Sequence, residues 1–156
     1  MAIPKKLQNF FKKNKIKGEV LMHKKVYTVY DKAKTLGKKL QEIGKTIAMK
    51  ADQKHILVVL PASHRIDLAK LKKLLKVKKL EIVKETVLSK IFKIKPGTHV
   101  PFGTYHNIPV FIDKALLKSK AIVVSAGSYT DSMKLSAKEL IKSGGQSLVS
   151  FSKKIK

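Results

Sequence analysis

Cysteine is absent from the 156 residues, which removes disulfides, thiolate nucleophiles and zinc-thiolate sites together. Arginine is nearly absent as well. Arg65 is the single one, so the formal charge of +25, set against ten acidic residues, is carried by lysine. A lysine ammonium is a flexible point charge, suited to phosphate backbones and poorly suited to the bidentate reading of base edges that a guanidinium performs. Such a surface fits a polyanionic partner gripped without sequence reading. It fits equally an ordinary surface of lysine-biased composition, because charge does not dictate fold. No apolar run reaches membrane-spanning length, and the basic stretch from Met1 to Gly18 has neither a continuous apolar segment nor a small-residue cleavage site. The expectation is a cytoplasmic protein without stable membrane association.

Hydrophobic residues make up 44% of the chain, enough for one domain over residues 1–156 to bury a real core. Ile3, Leu7, Phe10 and Phe11 form one face of an N-terminal helix, which either docks on its own domain or lies on an anionic membrane. Glu19 to Met22 reads as a short strand. Thr28 with Asp31 resembles a capping box, and Val29, Ala33, Leu36 and Leu40 at helical spacing predict a helix over 29–42. Thr46–Ala51 and His55–Leu60 read as a hairpin turned by Asp52-Gln53-Lys54 and closed by Pro61. Asp67 caps a helix striped by Leu68, Leu71, Leu74 and Leu75. Beyond it, short strands are expected at 80–83, 108–112 and 121–125, with a helix over 84–92 and a helical turn at 115–117. Ser136 with Glu139 opens a last helix that stops at Gly144-Gly145. The tail, with Leu148, Val149 and Phe151, is too apolar to be free. Strands and helices mix without regular alternation, which predicts a single α+β domain around a mixed, strongly curved, barrel-like sheet surrounded by helices.

Chemistry-bearing patterns are sparse. The five histidines, at 23, 55, 64, 99 and 106, form no metal-ligand spacing, and neither a nucleophile elbow nor a phosphate-binding loop is present, so no metal or cofactor is expected. The segment Pro96-Gly97-Thr98-His99-Val100-Pro101-Phe102-Gly103 can be neither helix nor central strand. Read alone it is a connector with two turns, or a rigid loop whose carbonyls and amides point into a cavity. Lys45 stands between Gly44 and the hairpin. It is either an exposed lysine or an ammonium aimed into a cleft with its stem on the sheet.

The order of Lys45-Thr46-Ile47, Val58-Val59-Leu60-Pro61-Ala62 with Arg65 and Asp67, Gly97-x-x-x-Pro101, Pro109-Val110-Phe111-Ile112-Asp113 and Ser125-Ala126-Gly127 resembles the YbaK/prolyl-tRNA-synthetase-associated editing family, over roughly residues 19–142. That resemblance implies hydrolysis of mischarged aminoacyl-tRNA, with Lys45 as the principal catalytic residue. It places the loop Gly97, Thr98, His99, Val100 and Pro101 at the reaction centre and Ser125, Ala126 and Gly127 across the pocket. Relatives specific for cysteine carry Ser-Gly-Gly and a basic residue where this chain has Ser-Ala-Gly-Ser-Tyr. His23 and Thr28 are similar to the His-Pro-x-x-x-Thr segment of alanine-editing relatives, with Lys24 in place of proline, and His23 is read as a wall residue. The implied partner is the acceptor end of tRNA, and a synthetase partner is left open. The competing reading is a non-catalytic, lysine-rich RNA-binding module of the same fold.

Overall fold

Among the described residues, three sheets carry the fold. The computed structural model describes residues 3–91, 95, 98–144 and 147–155. Helix α1 (Lys5–Lys13) turns its apolar face inward: Leu7 is buried, and Phe10 and Phe11 each lie 5.7 Å, ring to ring, from the buried Phe102. The helix docks on its own domain. Strand β1 (Glu19–Met22) leads to α2 (Val29–Leu36), whose first turn is capped by the Thr28 hydroxyl accepting from the Asp31 amide at 3.1 Å. This helix is shorter than its apolar spacing predicts. Gly37 takes the left-handed conformation (φ 64°) and ends it, and a separate 3-10 turn, Leu40–Glu42, presents Leu40.

The hairpin is longer than expected. Strands β2 (Gly44–Ala51) and β3 (Lys54–Pro61) pair in register from Gly44 with Pro61 to Ala51 with Lys54, leaving Asp52-Gln53 as a two-residue turn with Asp52 at φ 53°. Next come β4 (His64–Ile66), α3 (Leu68–Leu75) capped by Asp67, β5 (Leu80–Ile82) and α4 (Glu85–Ile91). Phe92, the expected end of α4, lies outside the described residues. A short α5 (Gly103–His106) precedes β6 (Val110–Asp113), a 3-10 turn at Lys114–Lys118, β7 (Ile122–Ser125) and β8 (Asp131–Leu135). Then follow α6 (Ala137–Gly144), β9 (Ser147–Val149) and β10 (Ser152–Lys154). The Glu139 amide bonds the Ser136 hydroxyl at 3.0 Å, as a capping box requires; Gly145 lies outside the described residues.

The single strongly curved, barrel-like sheet expected from the sequence is corrected by the pairing. Among the described residues the strands form a five-stranded mixed sheet in the order β5-β2-β3-β6-β9, a three-stranded antiparallel sheet β1-β8-β7 and a two-stranded ribbon β10-β4. The two larger sheets meet at one parallel bridge, Ile43 to Val123, and do not close. Gly44 permits that approach, since a Cβ there would lie 3.1 Å from Val124 Cγ1. Strand alternation then sends Ala48, Leu57 and Val59 to a cluster with Leu7, Val100, Phe102 and Val124, and Met49, Val58 and Leu60 to a second cluster with Leu71 and Phe151.

Candidate functional site

A cleft of about 830 Å³ opens between α1, the segment after residue 97 and the turn joining β7 to β8. Thr98 and Val100 form one wall and Gly127 the other, with Lys6, Lys25 and Lys95 around it. The loop wall is held by hydrogen bonds of its own. Thr98 is buried, and its hydroxyl donates to the Lys95 carbonyl at 2.7 Å; the Val100 carbonyl accepts from His106 Nε2 at 3.1 Å. Pro101 is buried beneath, while Gly97 and Pro96 lie outside the described residues.

The opposite wall rests on one carboxylate. Asp131 is 1% exposed, and its Oδ2 accepts from the hydroxyls of Ser128 at 2.6 Å and Thr130 at 3.2 Å, which fixes the turn from residue 127 to 130. Ser125 Oγ accepts the Gly127 amide at 3.2 Å. Gly127 has φ 93°, and a Cβ on it would come within 2.7 Å of Leu7 Cδ2. Glycine here meets both the backbone geometry and the closeness of α1. Ala126 is wholly buried behind it.

The remaining residues singled out from the sequence fall into separate places. His99 is buried behind the loop rather than on the cleft surface, and burial, assisted by His106 at 6.4 Å between ring centroids, lowers its pKa to about 4. The ring is neutral at pH 7. His23 has both nitrogens engaged in the fold: Nδ1 donates to the Lys24 carbonyl at 2.8 Å and Nε2 lies 2.9 Å from Ser132 Oγ. Thr28 is spent as the cap of α2.

Lys45 does not line the cleft. It shares the face of β2 with Ile47 and Met49, which pack with α3 and Phe151, and burial lowers its pKa. It is half-buried there. Its charge acts with those of Lys118 and Lys154 on His64, whose pKa is lowered first by burial and raised in opposition by Asp113. Lys45 also stands two residues beyond the Ile43–Val123 bridge on β2, as Ser125 does on β7, so these two predicted residues sit at one level of adjacent strands. Thr46 shares the other face with Ala48, in the cluster that includes the cleft-lining Leu7 and Val100, and its buried Oγ1 has no hydrogen-bond partner among the described residues.

Sequence reasoning passed over Tyr105, His106, Lys25 and Tyr129, which also line the cleft. His106 was visible only as one histidine among five. The signal for it was the short helix α5, which Gly103 starts and Asn107, at φ 59°, ends. Among the described residues no group of three His, Asp or Glu side chains is placed to hold a metal ion, and no helix is long and apolar enough to cross a membrane.

Residues 23–143 match the family model described as aminoacyl-tRNA editing domain. Among solved structures, the chain is similar to a hypothetical protein, APE2540, at a TM-score of 0.87 and 22% identity, over 95% of this chain and 99% of that one. It is also similar to a protein described as a candidate trans-editing enzyme for prolyl tRNA synthetase, at a TM-score of 0.85 and 18% identity over 96% of each chain. At such identities the likeness concerns the fold. A search of curated proteins by sequence gave no match.

Proposed function

The chain belongs to the aminoacyl-tRNA editing domain family, and from that premise we propose that it is a trans-editing deacylase, one unit over residues 1–156, which hydrolyses the ester of a mischarged tRNA. The observation that carries this reading is the cleft, where a hydrogen-bonded loop at Thr98 and Val100 faces Gly127 across a space rimmed by Lys6, Lys25 and Lys95. The substrate is an ester between an amino acid and the terminal ribose. It is more activated than an amide, so a strong protein nucleophile is unnecessary. Backbone groups of the fixed loop place a water or the neighbouring ribose hydroxyl, and a nearby ammonium holds the terminal phosphate or polarises the carbonyl. Gly127, which carries no side chain, bounds the side of the cleft assigned to the amino acid, with Ala126 buried behind it. His99, a weak base at neutral pH, supports the loop from behind in this scheme. The partner is tRNA, gripped by its acceptor end and delivered alone or by a synthetase.

Lys45 is assigned the principal catalytic role on its match to the family's lysine and its place level with Ser125. In a discontinuous assay of ester loss, Lys45→Ala should lower the rate by 100-fold or more, on the order of 3 kcal/mol of barrier, with unchanged unfolding behaviour. Full activity in that variant removes Lys45 from the mechanism.

One observation favours a second reading, the silent RNA-binding module. Lys45 stems from the face of β2 opposite the cluster that floors the cleft, so the ammonium and the loop wall do not share one surface here. Saturable tRNA binding with no ester loss across a panel of mischarged tRNAs would select that reading.

A further inference from the structure

Tyr27, in the connection from β1 to α2, is 60% exposed although it is aromatic and ordered against neighbours. Its ring centroid is 4.8 Å from that of Tyr129, the planes tilted by 58°, and Lys25 Nζ lies 5.7 Å from its centroid. The backbone holds this pair together. The Val26 amide donates to the Tyr129 carbonyl at 3.0 Å and the His23 amide to the Thr130 carbonyl at 2.9 Å, so the segment carrying Tyr27 is fixed to the turn that walls the cleft. Tyr129 and Lys25 line the large cleft, while Tyr27 lines an adjoining hollow of about 700 Å³ with Lys24, Lys25 and Lys34, where Asp31 is the one acid. An exposed ring thus stands between two lysine-lined depressions that share Lys25.

Single-stranded nucleic acid is recognised by this combination, phosphates on a basic track and bases stacked on aromatic faces, because every base offers a π-face whatever its identity. A duplex cannot use it, since its bases are already stacked. We propose that Tyr27, buttressed by Tyr129, is a stacking platform for a base of an unpaired RNA 3′ end, with Lys24, Lys25 and Lys34 on its phosphates, which directs the terminal ribose toward the cleft. The direction of the strand rests on the deacylase reading above; the stacking does not.

The test uses the full chain and a short RNA ending in the acceptor sequence CCA, with 2-aminopurine as the last base, followed by fluorescence quenching and anisotropy. Wild type should quench the probe, and a blunt RNA duplex should not compete. Tyr27→Ala, at so exposed a position, should keep the fold, abolish quenching and weaken binding by about fivefold or more, the scale of one lost stacking contact. Tyr27→Phe should restore both. Unchanged quenching and affinity in Tyr27→Ala would overturn the platform, and so would a loss in Tyr27→Phe equal to that in alanine, which would assign the effect to the hydroxyl. Ester hydrolysis is read separately in the same variants. Quenching without hydrolysis of any charged tRNA leaves the platform standing and removes the deacylase.

Discussion

His99 lies 4% exposed beside His106, and the cost of burying a charged ring pushes its pKa from 6.5 to about 4. Between those two values the unfolded chain binds a proton that the folded chain refuses. Stability from this residue is therefore complete above about pH 6.5 and is lost as pH falls toward about 4, amounting to about 2 kcal/mol by pH 5. His106 and His64 are lowered chiefly by burial too and add in the same direction. Denaturant unfolding at pH 7, 6 and 5 should show wild type losing more stability than His99→Gln; parallel losses would contradict the assignment. The loop around His99 was legible from its prolines and glycines. The burial of His99 was not, because an imidazole between turn residues carries no signal of which way it faces.

At the scale of elements, Asp113 shows how the C-terminal tail is attached. Its carboxylate is 2% exposed and accepts four bonds, from the amides of Phe151 at 2.8 Å, Ser152 at 3.1 Å and Ala115 at 3.1 Å and from the Ser152 hydroxyl at 2.6 Å. Ser152 in turn meets His64 Nδ1 at 2.9 Å, so β6, β10 and β4 join at one buried anion. Asp113→Ala leaves buried donors unpaired and should cost about 2–4 kcal/mol of unfolding free energy, with faster amide exchange at Phe151 and Ser152. A loss below about 0.5 kcal/mol would mean the tail is held by Phe151 alone. The hairpin and α3 were readable because their apolar spacing is long and regular. Strands β4, β8, β9 and β10 were not, since three to five residues such as Asp131-Ser132-Met133-Lys134-Leu135 give too little alternation, and their pairing is set by distant partners. Helix α2 stopped early for a local reason, at Gly37 in the left-handed conformation, which its apolar spacing overran.

For the whole molecule, thirty-five basic residues against ten acids leave a net positive field that attracts polyanions. Binding of tRNA should weaken by about tenfold or more between about 50 and 200 mM salt, as phosphate neutralisation releases counterions. A flat response in equilibrium titrations would show that lysine does not supply the grip. The family was legible at this scale because its motifs keep their order from Lys45 to Gly127, even though each is weak alone. Their meeting in space was only partly legible. Thr98, Val100 and Gly127 share the cleft, whereas strand alternation directs Lys45 to the other face of β2, and with a period of two residues a shift by one decides which side of a sheet a charge occupies. The central claim is ester hydrolysis, and its most direct measurement is the loss of amino acid from a panel of mischarged tRNAs under single turnover, with tRNA binding monitored in the same samples. At least one mischarged tRNA should be deacylated well above its spontaneous rate while its correctly charged counterpart is spared. Saturated binding across the panel with every ester decaying at the spontaneous rate would contradict the account.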